Sequence, residues 1–497
     1  MAKMRKCYES SGSNQYRGTV LSCRYAIPPR LAPADSRTQL EQAIKVAVAD
    51  TILRHPMMQV GIKDATSKSP SWIQLQSLDL AQHIKWLYIK DHDDFEQTVQ
   101  ETYRTQLDDR CWDLSNQKPS WKITIIRQWN TPAMELLLSW NHPQFDGAGA
   151  KVFHEDFLQI LNTGTSSNER EGLEGDILRL PKASPLLPVP IEKLKKLSIS
   201  PPHLGKTLWE EVRPQVLNWD KSLATWCPIR TSPYKTQYRA FFIDNKSLVA
   251  ILALCRKNKT TITGLLNGLA LIAFSSHLDS KAAPAFQSST IVDHRRNLPP
   301  ASKGAPWVSS DRVVANYVTQ AFHRYGTRPV SRVRSKLRAG TKGGALSADL
   351  QRELWIASAR NRREIVDKLD AGLQNDLLGV FKYVKDWEKT MRDQARKTRQ
   401  FSWLVTNIGV LDGKATKKSP EGGNNKADDA QRWSIERAQF GLSAEVPAAA
   451  IEFAAVSVAG HGMCVSSNWA DCAVDTNLGD RIMADLERWL NQLGSQS

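Results

Sequence analysis

Short runs in which apolar and polar residues alternate are spread along the chain, and between them apolar residues recur at helical spacing. TVLSCRYAIPP reads as a strand. In LEQAIKVAVADTILRHPMMQVGI, Leu40, Ala43, Ile44, Val46, Ala47 and Ile52 keep a helical stripe, which Pro56 ends. WIQLQSL and HIKWLYI are short and β-prone. A polar helix is expected around Asp94 to Gln106, and WKITIIRQW with MELLLSW reads as a strand pair.

The second half repeats this style. A strand is expected at Tyr238 to Ile243, a helix from about Asp244 to Asn258, and a second helix in TTITGLLNGLALIAFSSHL, whose Thr pair suits an N-cap. Strand-like stretches follow at Ser289 to Asp293, Arg312 to Val318 and Phe401 to Ile408. IEFAAVSVAG and MCVSSNWA read as a hairpin, and an amphipathic helix spans Leu478 to Leu493. Residues 162 to 205, rich in Ser, Gly, Pro and charge, show little periodicity and mark the boundary between an N-terminal unit, 1–190, and a C-terminal unit, 191–497. DGKATKKSPEGGNNKADD, at 412–429, reads as an exposed loop.

With 497 residues, two globular units or a duplicated one are the natural expectation, and 41% hydrophobic residues with 16 Trp describe a folded, enzyme-sized protein. No apolar run approaches the roughly 20 residues of a membrane span, and the start of the chain lacks a signal-peptide core, so a cytoplasmic protein is expected. Seven widely spaced cysteines without a CxxC pair point to thiols. The net charge of +16 is compatible with nucleic acid, a membrane surface or an anionic small molecule. No zinc finger, P-loop or compact basic region with aromatics supports a nucleic-acid partner.

One stretch carries chemistry. In MELLLSWNH the residues Met134, Leu136, Leu138, Trp140 and His142 share a face, so His142 closes an apolar strand face, and Pro143 favours extended backbone just before it. Asp146 and Gly147 suit a tight turn, and Val152, Phe153, Phe157, Ile160 and Leu161 form the stripe of a helix that Asp146 can cap. A neutral imidazole held beside a buried carboxylate suits a general base. Two other readings stand beside it: a satisfied core histidine with a capping aspartate, and a zinc site from His142, Asp146 and His154. Pro143 and Gly147 oppose the helix that the zinc site needs.

NHPQFDG resembles the HxxxDG motif of the superfamily that holds chloramphenicol acetyltransferase, plant BAHD acyltransferases, condensation domains and fungal alcohol acetyltransferases. The stretch ending in HP at Pro56, PSWKITII, VDHRRNLPP, VANYV and VTNIGVLDG resemble further family segments, in the expected order. RWSIERAQFGLSAEV with MCVSSNWADCAV is most similar to the branch of fungal alcohol acetyltransferases and trichothecene acetyltransferases. Asn141 stands where condensation domains have a first histidine, and the BAHD stretch DFGWG is missing.

The resemblance implies an α/β fold of two chloramphenicol-acetyltransferase-like lobes with mixed sheets and an active-site tunnel between them. It implies His142 as base, with Asp146 orienting, Gly147 in the motif turn and Arg295 pairing with Asp146; Arg296 is the fallback. Ser443, Thr406 and Asn407 are candidates for oxyanion or cofactor contacts, and the cluster Arg332, Arg334, Lys336, Arg338 and Lys342 is a candidate anion surface or a mobile basic loop. The expected reaction moves an acyl group, acetyl by preference, from acyl-CoA as co-substrate to an alcohol or amine of a hydrophobic secondary metabolite. No permanent cofactor or metal is expected. An acyl-carrier protein is the alternative donor, as in a condensation or cyclisation enzyme, and a nucleic-acid-binding or non-catalytic scaffold protein is the reading from another class. A duplicated architecture completes its own site, so a monomer is expected.

Overall fold

Two large mixed sheets are built from β1 (Gly18–Ala26), β2 (Ile84–Ile89), β3 (Trp121–Gln128), β4 (Ala133–Asn141), β5 (Thr236–Asp244), β6 (Phe286–Asp293), β7 (Val318–Tyr325), β8 (Trp403–Leu411), β9 (Ser434–Leu442), β10 (Ile451–Val458) and β11 (Gly462–Ala470). The first has the order β9-β1-β4-β3-β2, the second β5-β11-β10-β8-β6-β7. The fold is α/β, as expected. The computed structural model describes residues 17–64, 71–109, 118–129, 131–163, 170–182, 187–194, 197–212, 219–230, 235–300, 309–339, 344–381, 383–384, 386–414, 431–443 and 447–496.

The helices that matter most are α1 (Arg37–Arg54), α2 (Phe95–Asp108), α3 (Gly147–Thr163), α4 (Asn245–Lys257), α5 (Ile262–His277), α6 (Ala348–Ala371) and α7 (Thr476–Gly494). Strand alternation sorts the core. Leu21, Cys23 and Tyr25 of β1, with Leu136 and Leu138 of β4, pack under α1 and α3, whereas Val20 and Leu137 point the other way, toward Val99, Tyr103 and Leu107 of α2. In the second sheet Trp403, Val405, Phe453 and Val465 face α4, α5 and α7, while Ala454, Val456 and Cys464 join the core of the first sheet. The two sheets therefore share buried apolar surface.

β9 lies late in the chain and yet pairs antiparallel with β1, Leu442 opposite Thr19, so strand order does not follow sequence order. The chain from 162 to 205 contributes a two-residue and a three-residue strand, Leu173–Glu174 and Ile177–Arg179, that pair with each other, the second also with Ser77–Asp79. Strands that short leave no periodicity to read. Thr261 caps α5 by accepting from the Gly264 amide.

The stretch from Arg312 to Val318 is not a strand. A 3-10 turn at Ser310–Arg312 is followed by irregular backbone, and β7 begins at Val318. The reason is tertiary: the carbonyls of Val313 and Ala315 and the amide of Tyr317 are taken up by Arg295 and Asp146 instead of by a neighbouring strand. The basic stretch 328–338 is the helix Thr327–Ala339, not a loop; Arg332 pairs with Glu353, Lys336 with Asp349, and Arg334 donates to the carbonyls of Ser275, Leu278 and Ala283. Lys342 and residues 415–429 lie outside the described residues. No helix among the described residues is long and apolar enough to cross a membrane.

Candidate active site

β4 ends at Asn141, and His142 opens the turn that follows, one residue later than a strand position. That turn is braced on all sides. The Gln144 amide donates to the Asn141 carbonyl at 2.9 Å, the Trp140 indole donates to the Phe145 carbonyl at 2.7 Å, and the Gln144 side chain reaches the carbonyls of Met57 and Val60. His142 itself stays half-exposed while Asn141, Gln144 and Asp146 around it are buried. A fixed backbone thus presents a partly accessible imidazole.

Asp146 caps α3, its Oδ1 accepting from the Gly149 amide at 2.8 Å. The same carboxylate receives both guanidinium arms of Arg295 at 2.8 Å each and the Tyr317 amide at 2.9 Å. Only 1% of Asp146 and 4% of Arg295 is exposed. Such a buried pair survives because each charge is paired and its remaining hydrogen-bonding capacity is used: Arg295 also donates to Val313, Ala315 and Asp293. Burial works against the charged guanidinium, but Asp146 and then Asp293 outweigh it and hold Arg295 above its ordinary range. Arg296 points elsewhere and pairs with Asp370 at an exposed position.

Space is tight at Gly147. A Cβ there would stand 2.4 Å from Cδ1 of Ile408 and 3.2 Å from the Phe440 ring, so the first turn of α3 packs directly on β8 and β9.

Burial pulls the imidazole of His142 below its usual pKa of 6.5, against the charge of Asp146 and a hydrogen bond with its own backbone, which push upward. The ring is therefore neutral near pH 7. Asn316, unremarked in the sequence beyond its place in VANYV, lies against it: its amide nitrogen is 3.1 Å from Nδ1 and 3.1 Å from the carbonyl oxygen of His142. No periodicity could have revealed this, because Asn316 belongs to the irregular segment 313–317.

The other candidates separate. Ser443 is fully buried at the end of β9, where its hydroxyl accepts from the Arg17 amide at 2.9 Å. Thr406 is buried in β8. Asn407 is exposed, donates to Thr263, and lines a cavity of about 500 Å³ with Arg256, Thr260 and Thr261; His142 is not among its lining residues. His154 sits in the core of the first sheet, bonded to the Tyr25 hydroxyl and near the Leu21 carbonyl, with burial holding its pKa down at about 4. Among the described residues no cluster of three His, Cys, Asp or Glu is placed to hold a metal ion.

These sheets, and the order in which they are strung, define a fold of the acetyltransferase and condensation-domain class. The chain superposes on TRI3 trichothecene 15-O-acetyltransferase from Fusarium sporotrichioides with a TM-score of 0.70 at 14% identity, covering 99% of this chain and 94% of that one. The condensation domain of the monacolin K polyketide synthase MokA matches with a TM-score of 0.53 at 11% identity, over 99% and 94%. The alcohol acetyltransferase family matches residues 79–473, and the chain belongs to that family. It is similar at 23% identity to a probable alcohol acetyltransferase, FCK4, of Fusarium pseudograminearum, over 91% of this chain and 86% of that relative. The protein is an acyltransferase.

Proposed function

We propose that the protein transfers an acyl group, acetyl by preference, from coenzyme A to a hydroxyl of a hydrophobic secondary metabolite, with His142 as general base. The observation that carries this reading is a partly accessible imidazole held on a braced turn next to a fully bonded Asp146–Arg295 pair, with its pKa shifted downward. The acceptor O–H gives its proton to His142 as the oxygen attacks the thioester carbonyl. The C–S bond then breaks, and the leaving thiolate takes the proton back from the imidazolium. A thioester is electrophilic enough that no covalent enzyme nucleophile is needed once the acceptor is aligned. In this reading the 1–190 and 191–497 units are the two lobes, with a substrate tunnel between them, and Gly147 lets α3 approach closely enough to seat the motif.

For the donor, the cavity beside Asn407 has the size of a ligand pocket. The exposed Arg256 and the capped N-terminus of α5 at Thr261 line it, and Arg362 contacts the Lys259 carbonyl nearby. The rest of the lining is mostly apolar, with Leu248, Leu252, Ile262, Val458 and Met463, and Arg256 is the guanidinium in it that suits a phosphate oxygen of coenzyme A.

Release of free coenzyme A from a panel of acyl-CoAs and alcohols tests the reading, comparing wild type with His142→Ala. Acceptor-dependent release that drops at least about 100-fold in the variant is expected. Equal release by both proteins would take His142 out of the mechanism.

A further inference from the structure

Burial alternates without a break along β7 and the two residues before it. Tyr317, Thr319, Ala321, His323 and Tyr325 are buried, while Asn316, Val318, Gln320, Phe322 and Arg324 are half-exposed or exposed. The buried set faces the helices: on that side Thr290 of β6 accepts from Asn267 of α5, and His323 meets Glu364 of α6. The open set shares its face with residues of β6, where Ile291 stands opposite Gln320 and Ser289 opposite Phe322. Phe322 stacks on Phe401 with ring centroids 5.2 Å apart, and Ile291 packs against the small apolar cluster of Phe401, Leu404 and Ala449.

This strip leads to the base. At one end Asn316 lies against His142; at the other Arg324 pairs with Asp220. Successive side chains on one face of a strand stand about 7 Å apart, so Val318, Gln320 and Phe322 span about 14 Å, the length of a small molecule. Two polar groups on this face are unspent. The half-exposed Gln320 amide makes no hydrogen bond among the described residues, and the fully buried Ser289 hydroxyl has no partner. Unpaired polar capacity inside an apolar strip is costly to the fold alone and suits a ligand that brings its own oxygen. We propose that the strip holds the body of the acceptor: an elongated, largely apolar alcohol whose reacting hydroxyl meets His142, whose carbon skeleton lies on Val318 and Ile291 with longer molecules reaching Phe322, and whose second oxygen bonds Gln320. The donor cavity lies on the other side of this sheet, where Asn407 bonds Thr263 of α5, so the two substrates come from opposite faces and do not compete for space.

The inference rests on acyl transfer at His142, and a binding measurement separates the two. In methyl NMR of the whole protein without acyl-CoA, the Ile291 δ1 signal, assigned by its loss in Ile291→Val, is expected to move on addition of octan-1-ol. Kinetics with acetyl-CoA then compare octan-1-ol with heptane-1,7-diol, which has the same number of heavy atoms and a hydroxyl in place of the far methyl. Gln320→Leu is expected to lower the diol-to-octanol ratio of kcat/KM about 3- to 10-fold, the worth of one hydrogen bond. Ile291→Trp fills the strip and should raise KM for octan-1-ol about tenfold or more, with KM for acetyl-CoA within about twofold. Phe322→Ser, at an exposed position that folding tolerates, should raise the octanol KM about threefold. An Ile291 methyl that octan-1-ol leaves unmoved, a diol preference unchanged in Gln320→Leu, or a KM rise for acetyl-CoA in place of the alcohol would overturn the proposal. If wild type transfers no acyl group, the catalytic reading fails, and the methyl spectra still decide whether the strip binds the alcohol.

Discussion

Asp146 and Arg295 stand 149 positions apart in the chain and form a two-armed ion pair, both contacts 2.8 Å, in a part of the fold that water hardly reaches. The pair ties the N-terminus of α3 to the irregular segment after β6, and so joins residues of the two halves of the chain around His142.

Breaking that pair from one side leaves a buried charge without its main partner. Asp146→Asn or Arg295→Met is expected to lower stability by about 3 to 5 kcal/mol, read from urea unfolding midpoints. The double variant should lose clearly less than the sum of the two singles, since neither charge remains to be compensated. Single variants within about 0.5 kcal/mol of wild type would mean the pair is not a structural clamp.

Gly147→Ala puts a methyl group into contact with Ile408 and Phe440. Overpacking of this kind costs about 1 to 3 kcal/mol. Ile408→Val deletes the nearest atom, so combining the two substitutions should recover part of the loss; melting temperatures of the four proteins decide it. Simple addition of the two effects would show that the clash lies with the ring of Phe440 or the backbone.

The acid limb of activity follows from the direction of the His142 shift. The imidazole works as a base only when neutral, and burial lowers its pKa, so kcat/KM should reach half its maximum at a pH below 6.5. The sign for stability is the complement: below 6.5 the unfolded chain binds this proton more readily than the fold, so the contribution of His142 to stability falls as pH falls. A pH profile of kcat/KM whose acid midpoint lies above 6.5 would contradict the downward direction of the shift.

Charge reversal at Arg256 tests the donor cavity. Arg256→Glu is expected to raise KM for the acyl-CoA about tenfold or more while leaving KM for the alcohol and the melting temperature near wild type, because the side chain is exposed and away from His142. An unchanged KM for acyl-CoA would move the phosphates to another surface.

Much of the fold was legible in the chain. Alternation placed β3 and β4 as a pair and β10 and β11 as a hairpin, and helical spacing placed α1 and α7, because each of these buries one face against a core. The segment around Asn316 misled for the same reason. Val313, Val314 and Ala315 look like a strand by composition, but the carbonyls of Val313 and Ala315 are spent on Arg295, a side chain that sequence cannot bring near.

The sequence by itself determined which residues are chemically able: a histidine ending an apolar strand, a capping aspartate, a glycine before a helix and an arginine after β6. Only the tertiary structure decided that β9 crosses to the first sheet and that Asn316 faces His142. Local patterns arise from neighbours within a few residues, whose geometry the chain itself fixes. Contacts between residues more than a hundred positions apart depend on how whole sheets pack, and no short stretch of sequence carries that information.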